Sequence, residues 1–336
     1  MDYNYYYNEV MHHEWVLSNK LGGYSMGSGN LVNKRKYNGL LIASDNKFKR
    51  VNLVSTQEEK VRCRTKEIYL DSNNYAECIY PDGYEHIVKT WLLPFPALLY
   101  SSVPKSDDFL ILKKIKLHPV KNIVKVSLSN LSNVKVEFTV RPKFSLRDHH
   151  SVNEIDLWNH LKPDISIDEY SCSVERSDTG VKAFCTVSTG VIEEDEIIFR
   201  EIFYPLDSMR GYDASESLIS PIKWTFELNP GETAEILYSD EKIENFVKTV
   251  KEIDKRYSSQ LFPTDHPDRI KSEYSLSKVN FDDETLFTEK KYSKLISQIF
   301  DTFVTKDDII AGFPWFSAWG RDTMISMKAL LFEKNG

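Results

Sequence analysis

The chain has 336 residues, of which 41% are hydrophobic and 12% aromatic, enough for one large or two ordinary domains with apolar cores. A net charge of −7 argues against a nucleic acid or an anionic membrane as partner, whereas a neutral polysaccharide needs no charge match. No segment reaches the roughly 18 apolar residues of a membrane span, and the first residues lack the pattern of a secretion signal. The four cysteines show no Cys-x-x-Cys spacing, so we expect reduced thiols in a cytoplasmic protein.

The first ordered segment is expected at residues 15–43. Residues 15–24 predict a short strand that enters a glycine-rich turn, residues 25–30 continue as a loop, and residues 37–43 predict a buried strand. Glycine-rich loops can bind phosphate, but neither the P-loop pattern nor the dinucleotide-binding fingerprint is present. A plain surface turn is therefore the better interpretation of these glycines.

From residue 51 to about residue 238, short alternating segments predict strand after strand. Residues 111–117, 124–128 and 134–140 alternate apolar and polar residues, with lysines at the outward positions. We expect residues 130–133 to join the last two as a hairpin, and Pro81–Gly83 and Asn229–Gly231 to form further turns. The pattern predicts a mainly β fold with a large antiparallel β-sandwich over residues 1–240.

Two charged loops interrupt this pattern. Residues 141–150 end in Arg147, Asp148 and two histidines, and residues 210–216 form a second charged loop. A metal site normally needs three or four ligands, and no second cluster at ligand spacing is visible, so we predict no metal. Ion pairs that anchor the loops are the alternative to a functional role.

After Ser239 the pattern changes to a helical period. Asp240 is expected to cap a helix that ends near Tyr257, and an extended connection then completes a linker over residues 241–285. A second amphipathic helix is predicted at residues 289–305 and a third at residues 323–333.

Between these last two helices, residues 311–322 combine large aromatics, two glycines, a proline and an Arg-Asp pair. Indole faces can stack on the apolar face of a pyranose. Arg321 as donor and Asp322 as acceptor can together hold two sugar hydroxyls. The alternative is that Asp322 only caps the following helix while Trp315 and Trp319 fill the core.

The sequence Gly312-Phe-Pro-Trp-Phe-Ser-Ala-Trp-Gly-Arg-Asp322 resembles a motif of the glycogen-debranching, or amylo-α-1,6-glucosidase, family of bacteria and archaea. Residues 15–43, 141–150 and 204–217 also resemble N-terminal segments of that family. The resemblance implies a supersandwich domain followed by an (α/α)6 toroid, of which residues 286–336 would be the start. It implies hydrolysis of α-1,6-linked glucose with inversion, without a cofactor, on glycogen, limit dextrin or maltooligosaccharide.

The resemblance also implies particular substrate-binding positions. These are Arg321, Asp322, Trp319, Trp315, Asn38, Arg147 and His150. Asn38 stands where the family usually has a histidine, and asparagine can hydrogen-bond but cannot titrate near neutral pH.

The family's general acid and base lie well downstream of this motif, so we expect both beyond Gly336 and assign no catalytic residue to this chain. We expect the chain to be the N-terminal portion of an enzyme, with a truncated toroid and no activity alone. A non-catalytic α-glucan-binding module is one alternative. Part of another glucoamylase-like hydrolase or of a disaccharide phosphorylase is a second, and a fragment without function is a third. The sequence leaves the oligomeric state open.

Overall fold

The computed structural model describes residues 13–64, 66–101, 109–258 and 300–335, with side chains up to residue 327 in the last helix. Two large antiparallel sheets dominate these residues. The mainly β prediction is therefore confirmed.

The first sheet has eight strands in the order β1-β2-β3-β4-β12-β17-β16, and β5 pairs with β4 alongside this path. Its strands are β1 (Glu14–Ser18), β2 (Tyr24–Ser28), β3 (Gly39–Ser44), β4 (Arg50–Cys63), β5 (Lys66–Tyr69), β12 (Val136–Asp148), β16 (Val191–Phe203) and β17 (Ser215–Leu228).

The second sheet has eight strands in the order β13-β14-β15-β18-β11-β10-β9-β8. Its strands are β8 (Ile87–Trp91), β9 (Ala97–Ser101), β10 (Leu110–Leu117), β11 (Ile123–Asn130), β13 (Asp164–Ile167), β14 (Ser171–Arg176), β15 (Val181–Val187) and β18 (Thr233–Ser239). A separate small hairpin pairs β6 (Asn73–Tyr75) with β7 (Cys78–Tyr80).

The two large sheets share one hydrophobic core. Apolar side chains of both sheets belong to a single buried cluster, because strand residues alternate between the two faces of a sheet. Polar contacts also cross between the sheets: the hydroxyl of Tyr238 donates to Gln57 Oε1 at 2.7 Å. The architecture is an antiparallel β-sandwich, as predicted.

Two local predictions are wrong. Residues 24–28 form strand β2 and not a loop. Residues 131–135 do not close a hairpin, because β11 belongs to the second sheet and β12 to the first. The Asn130 side chain stabilises this crossing by donating to the carbonyls of Val134 (2.8 Å) and Leu228 (3.0 Å).

The prediction that lysines occupy the outward positions is wrong for Lys113, which shares the inward face of β10 with Ile111 and Ile115. Lys113 is 2% exposed and pairs with the buried Glu59 of the opposite sheet. Lys125 is 3% exposed and contacts Asp254 at 2.7 Å. Alternation identifies the face of a residue but not whether an oppositely charged group covers it.

In the described part of the chain the helices are short except for two. They are a 3-10 turn (Gly83–His86), α1 (Leu157–His160), α2 (Pro205–Ser208), α3 (Phe246–Tyr257), the helical residues 300–303 and α4 (Gly320–Asn335). None of the described helices is long and apolar enough to cross a membrane.

The predicted bounds of the helices need correction. Helix α3 is capped by Asn245, whose Oδ1 accepts from Lys248 N at 2.9 Å. Asp240 is not the cap, because its carboxylate instead accepts from Asn122 Nδ2 at 2.6 Å. Of the helix predicted at 289–305, only residues from 300 onward are described, and 300–303 are helical.

Candidate functional site

The motif segment, residues 311–322, is attached to the N-terminal edge of the first sheet through the residues that precede it. Ser18 Oγ donates to the carbonyl of Thr302 at 2.5 Å, and Lys20 Nζ donates to that of Val304 at 2.8 Å. In return, Lys306 N donates to the carbonyl of Lys20 at 3.0 Å. The turn after β1 therefore fixes where the motif segment begins.

Arg50 makes the most extensive link between the sandwich and the motif segment. It is the first residue of β4 and only 2% exposed. Its Nε donates to the Gly22 carbonyl at 3.0 Å, while Nη1 donates to the carbonyls of Phe316 (3.0 Å) and Pro314 (3.3 Å). Its guanidinium carbon lies 4.9 Å from the ring centre of Phe313. A single arginine at a strand start carries no sequence signal, and we did not predict its role.

Trp315 packs between two arginines of the sandwich. The guanidinium carbons of Arg35 and Arg210 lie 5.1 Å and 4.9 Å from its ring centre, and Tyr37 meets it edge-on at 6.4 Å. Arg35 is itself held by Glu14, with 3.0 Å between Nε and Oε1. Cation–π contacts of this kind attach the tryptophan to the sandwich.

Trp319, in contrast, is 46% exposed. Its ring lies 5.8 Å from that of Phe316, at 69°, and Phe316 is also 47% exposed. The guanidinium carbon of Arg321 lies 5.5 Å from the Trp319 ring. The two tryptophans of the motif therefore differ: Trp315 is held by the protein, while Trp319 offers an open aromatic face beside a cation.

Asp322 lies in the first turn of α4 and does not cap it, because the helix begins at Gly320. Its Oδ2 is buried, is 3.7 Å from Arg321 Nε, and has no hydrogen bond to any described residue. The hydroxyl of Thr323 bonds instead to Asp308 Oδ1 and to the carbonyl of Trp319. The Arg321 side chain is 72% exposed. The Asp322 side chain as a whole is 34% exposed, so both charged side chains reach the surface although Oδ2 itself is enclosed.

The general acid and base that we expect beyond Gly336 are not among the residues of this binding surface. Helix α4 is described as far as Asn335, and Gly336 itself lies outside the described residues. Of the carboxylates near the motif, Asp308 accepts a hydrogen bond from the Thr323 hydroxyl, and Asp322 lies beside a guanidinium. The position of the acid and base beyond Gly336 stays a prediction.

His150 is exposed at the rim of the sandwich, where Tyr37 also contacts the motif. The Tyr37 hydroxyl lies 3.2 Å from His150 Nδ1. Burial raises the pKa of Tyr37. The bond to Tyr37 occupies Nδ1 of His150, so Nε2 is the ring nitrogen that remains for a ligand.

His149 lies under His150, with 3.9 Å between the ring centres, and is 5% exposed. Neither of its ring nitrogens has a hydrogen bond among the described residues. Burial and the neighbouring His150 lower the pKa of His149 to about 3, so the ring is neutral near pH 7.

Arg147 is buried in an ion pair and is not part of the open surface. Its Nε and Nη2 donate to Glu216 at 2.6 Å and 2.9 Å, and Nη2 also donates to the Lys36 carbonyl at 2.9 Å. Burial opposes the charge of Arg147, but the Glu216 carboxylate outweighs this and raises its pKa. Tyr204 also donates its hydroxyl to Glu216.

Asn38 is fully buried. Its Oδ1 accepts from the backbone N–H groups of Lys34 and Arg35, each at 2.9 Å, and its Nδ2 donates to Glu14 at 3.3 Å. The structure therefore places Asn38 inside the turn that carries Arg35. From this place it can affect the site through Trp315, which Arg35 contacts.

Fold and motif together define a β-sandwich protein that holds an aromatic Arg-Asp motif at one rim. The chain belongs to the family described as glycogen debranching enzyme N terminal, whose model matches residues 13–235. A second family model, amylo-alpha-1,6-glucosidase, matches residues 285–335. The resemblance seen in the sequence is thus confirmed. No curated protein matches the chain.

Solved structures give weaker similarities. A putative kojibiose phosphorylase from the human microbiome is 8% identical over 80% of this chain and 36% of its own, with a TM-score of 0.35. A bacterial glucoamylase complexed with acarbose is 10% identical over 78% of this chain and 36% of its own, at 0.32. The 4-alpha-glucanotransferase of Thermococcus litoralis is 12% identical over 67% of this chain and 37% of its own, at 0.30. The chain thus spans little more than a third of their lengths, and such TM-scores support no conclusion about it.

Proposed function

We propose that this protein binds the terminal glucose of an α-glucan, such as glycogen, limit dextrin or maltooligosaccharide, on the exposed face of the motif segment. The observation that carries the proposal is the division within the motif. Trp315 is held between two arginines, whereas Trp319 presents an exposed ring beside the exposed Arg321 and the partly exposed Asp322 side chain. A stacking ring beside a charged donor and a charged acceptor matches the surface chemistry of a pyranose.

Each proposed residue has a distinct task. Trp319 stacks on the apolar face of the sugar, Arg321 donates to one hydroxyl, and Asp322 accepts from another. His150 contributes Nε2 from the rim of the sandwich as a further hydrogen-bonding atom. Trp315, Arg147 and Asn38 support the site from within the protein.

In this proposal the chain forms part of an amylo-α-1,6-glucosidase that hydrolyses branch-point glucose with inversion, its general acid and base lying beyond Gly336. The domains are a sandwich at residues 1–240, a linker at 241–285 and the start of an (α/α)6 toroid at 286–336. This division is supported by the family matches at 13–235 and 285–335. A cytoplasmic location is supported by the four cysteines, none of which forms a disulfide.

Calorimetric titration with maltooligosaccharides tests the site. Asp322→Asn and Trp319→Ala should each weaken binding by roughly ten- to a hundredfold, because a hydrogen bond to a charged group contributes about 1.5–3 kcal/mol and a stacked ring a similar amount. Tyr170→Ala is the matched control, since Tyr170 is 47% exposed but lies between strands β13 and β14 of the second sheet. Equal affinity of Asp322→Asn, Trp319→Ala and the unaltered protein would reject the site.

A glucose-release assay on limit dextrin tests the assignment of roles. We expect binding without release by this chain, because hydrolysis needs a general acid and a general base, which we propose to lie beyond Gly336. Measurable turnover by the purified chain would show that it contains an acid and a base after all.

A further inference from the structure

We infer that Arg50 is a positioning residue that sets the geometry of the proposed glucan site by bonding the sandwich to the motif segment. The inference deepens the proposed function and rests on it for the binding measurement. Its structural part stands on contacts of Arg50 alone.

The first step is that the Arg50 backbone is fixed. Arg50 opens β4, pairs with Ser44 of β3, and belongs to a strand that also pairs with β12. Its carbonyl accepts from the backbone N–H of His149 at 3.3 Å. The backbone of Arg50 therefore bonds to His149, while the Arg50 side chain bonds to the motif segment.

The second step is the number of carbonyls that one guanidinium joins. Three carbonyls, from Gly22, Pro314 and Phe316, accept from two of its nitrogens within 3.3 Å. They come from two parts of the chain separated by more than 280 residues and matched by different family models. A lysine ammonium has its three donors on one atom and cannot reproduce this planar arrangement.

The third step is the apolar enclosure of the guanidinium. Its carbon lies 4.9 Å from the Phe313 ring and 5.5 Å from the Tyr24 ring, and those rings meet edge-on at 5.3 Å. With water excluded, the hydrogen bonds from this cation gain strength, and the loss of the cation would leave carbonyls buried without donors.

The fourth step is that the bonds of Arg50 also determine where the exposed residues of the motif segment lie. The loop of the motif is closed by its own hydrogen bonds, from Phe316 N to the Gly312 carbonyl (2.9 Å) and from Ala311 N to the Ser317 carbonyl (3.0 Å). Fixing the carbonyls of residues 314 and 316 therefore fixes the loop as a unit. Trp319 and the first turn of α4, which carries Arg321 and Asp322, come immediately after this loop in the chain. Their positions therefore depend on that of the loop.

The experiment uses 5-fluorotryptophan labelling and ¹⁹F NMR of the full chain. Its six tryptophans give separate probes, because only Trp315 and Trp319 lie in the motif segment, and Trp15, Trp91, Trp158 and Trp224 lie in the sandwich. Arg50→Met should shift the resonances of the two motif tryptophans and leave the other four in place. It should also weaken maltooligosaccharide binding at least tenfold, with Arg50→Lys intermediate.

Arg62→Met is the control, because Arg62 also lies on β4 but its side chain is 58% exposed and pairs only at the surface with Glu137. It should change neither the motif resonances nor the affinity. Unchanged resonances of Trp315 and Trp319 in Arg50→Met would overturn the inference. A shift of all six tryptophan resonances would also overturn the inference, because Arg50 would then stabilise the whole fold. If the unaltered protein binds no glucan but the two resonances still shift, the proposed function fails while the positioning role of Arg50 is supported.

Discussion

The buried pair of Arg147 and Glu216 offers a sharp test of whether Arg147 serves the fold or touches a ligand. The perturbation is a double-mutant cycle of Arg147→Met, Glu216→Leu and the combined variant. Both side chains are at most 1% exposed. Either single substitution leaves a buried charge without its main partner.

The expected loss of the free energy of unfolding follows from the hydrogen bonds that remain in each variant. Arg147→Met removes two donors from Glu216, which keeps only the Tyr204 hydroxyl and the N–H of Asn153 at 3.2 Å. Breaking a buried pair from one side costs about 3–5 kcal/mol of the free energy of unfolding. The combined variant should recover much of this, because neither charge then remains buried.

Urea and thermal denaturation measure these differences. At about 2–4 °C per kcal/mol for large domains, each single variant should lower Tm by on the order of 10 °C. Arg62→Met, at the exposed pair with Glu137, should have little or no effect. An Arg147→Met variant whose Tm and free energy of unfolding match those of the unaltered protein would refute this reasoning.

Two further predictions concern His149 and helix α3. Because the pKa of His149 is lowered to about 3 from 6.5, the unfolded chain binds an extra proton between these values, so stability should fall as pH falls from about 6.5 toward 3. His149→Phe should remove this part of the pH dependence in denaturant titrations at pH 7 and pH 5, and an unchanged slope would show that His149 is not its source. Asn245→Ala should lower the free energy of unfolding by about 1 kcal/mol through loss of the cap bond to Lys248 N, whereas Asp240→Asn should leave the helical signal of α3 in circular dichroism unchanged. A loss of stability and of helical signal in Asp240→Asn, with none in Asn245→Ala, would show that Asp240 is the cap.

The sequence predicted the fold class well because strand periodicity is a local property. Alternating residues in β10 and β11 produced strands close to the predicted bounds. The pairing of strands is not local: residues 131–135 look like a hairpin turn, but they connect different sheets. Turn residues indicate where the chain bends, and the partner of each strand depends on the whole sandwich.

The candidate site was predicted in part for a similar reason. The motif segment is contiguous, so its aromatic and charged residues are visible in the sequence. The difference between Trp315 and Trp319 is not visible there, because it depends on Arg35 and Arg210, which are far away in the chain. Arg50 was missed because its bonds to the motif segment join residues more than 260 positions apart in the chain.

Strand β4 sets the distance between the contact with the motif segment and the contacts with the opposite sheet. Arg50 at its start reaches the motif segment, whereas Gln57 and Glu59 further along reach Tyr238 and Lys113 of the opposite sheet. The register of β4 already shifts between these residues, against β3 and against β12. One residue inserted there would change the position of Arg50 relative to Gln57 and Glu59, either by turning side chains to the other face of the sheet or by forming a further bulge. We expect related chains to vary in loop length but to keep this spacing in β4 unchanged.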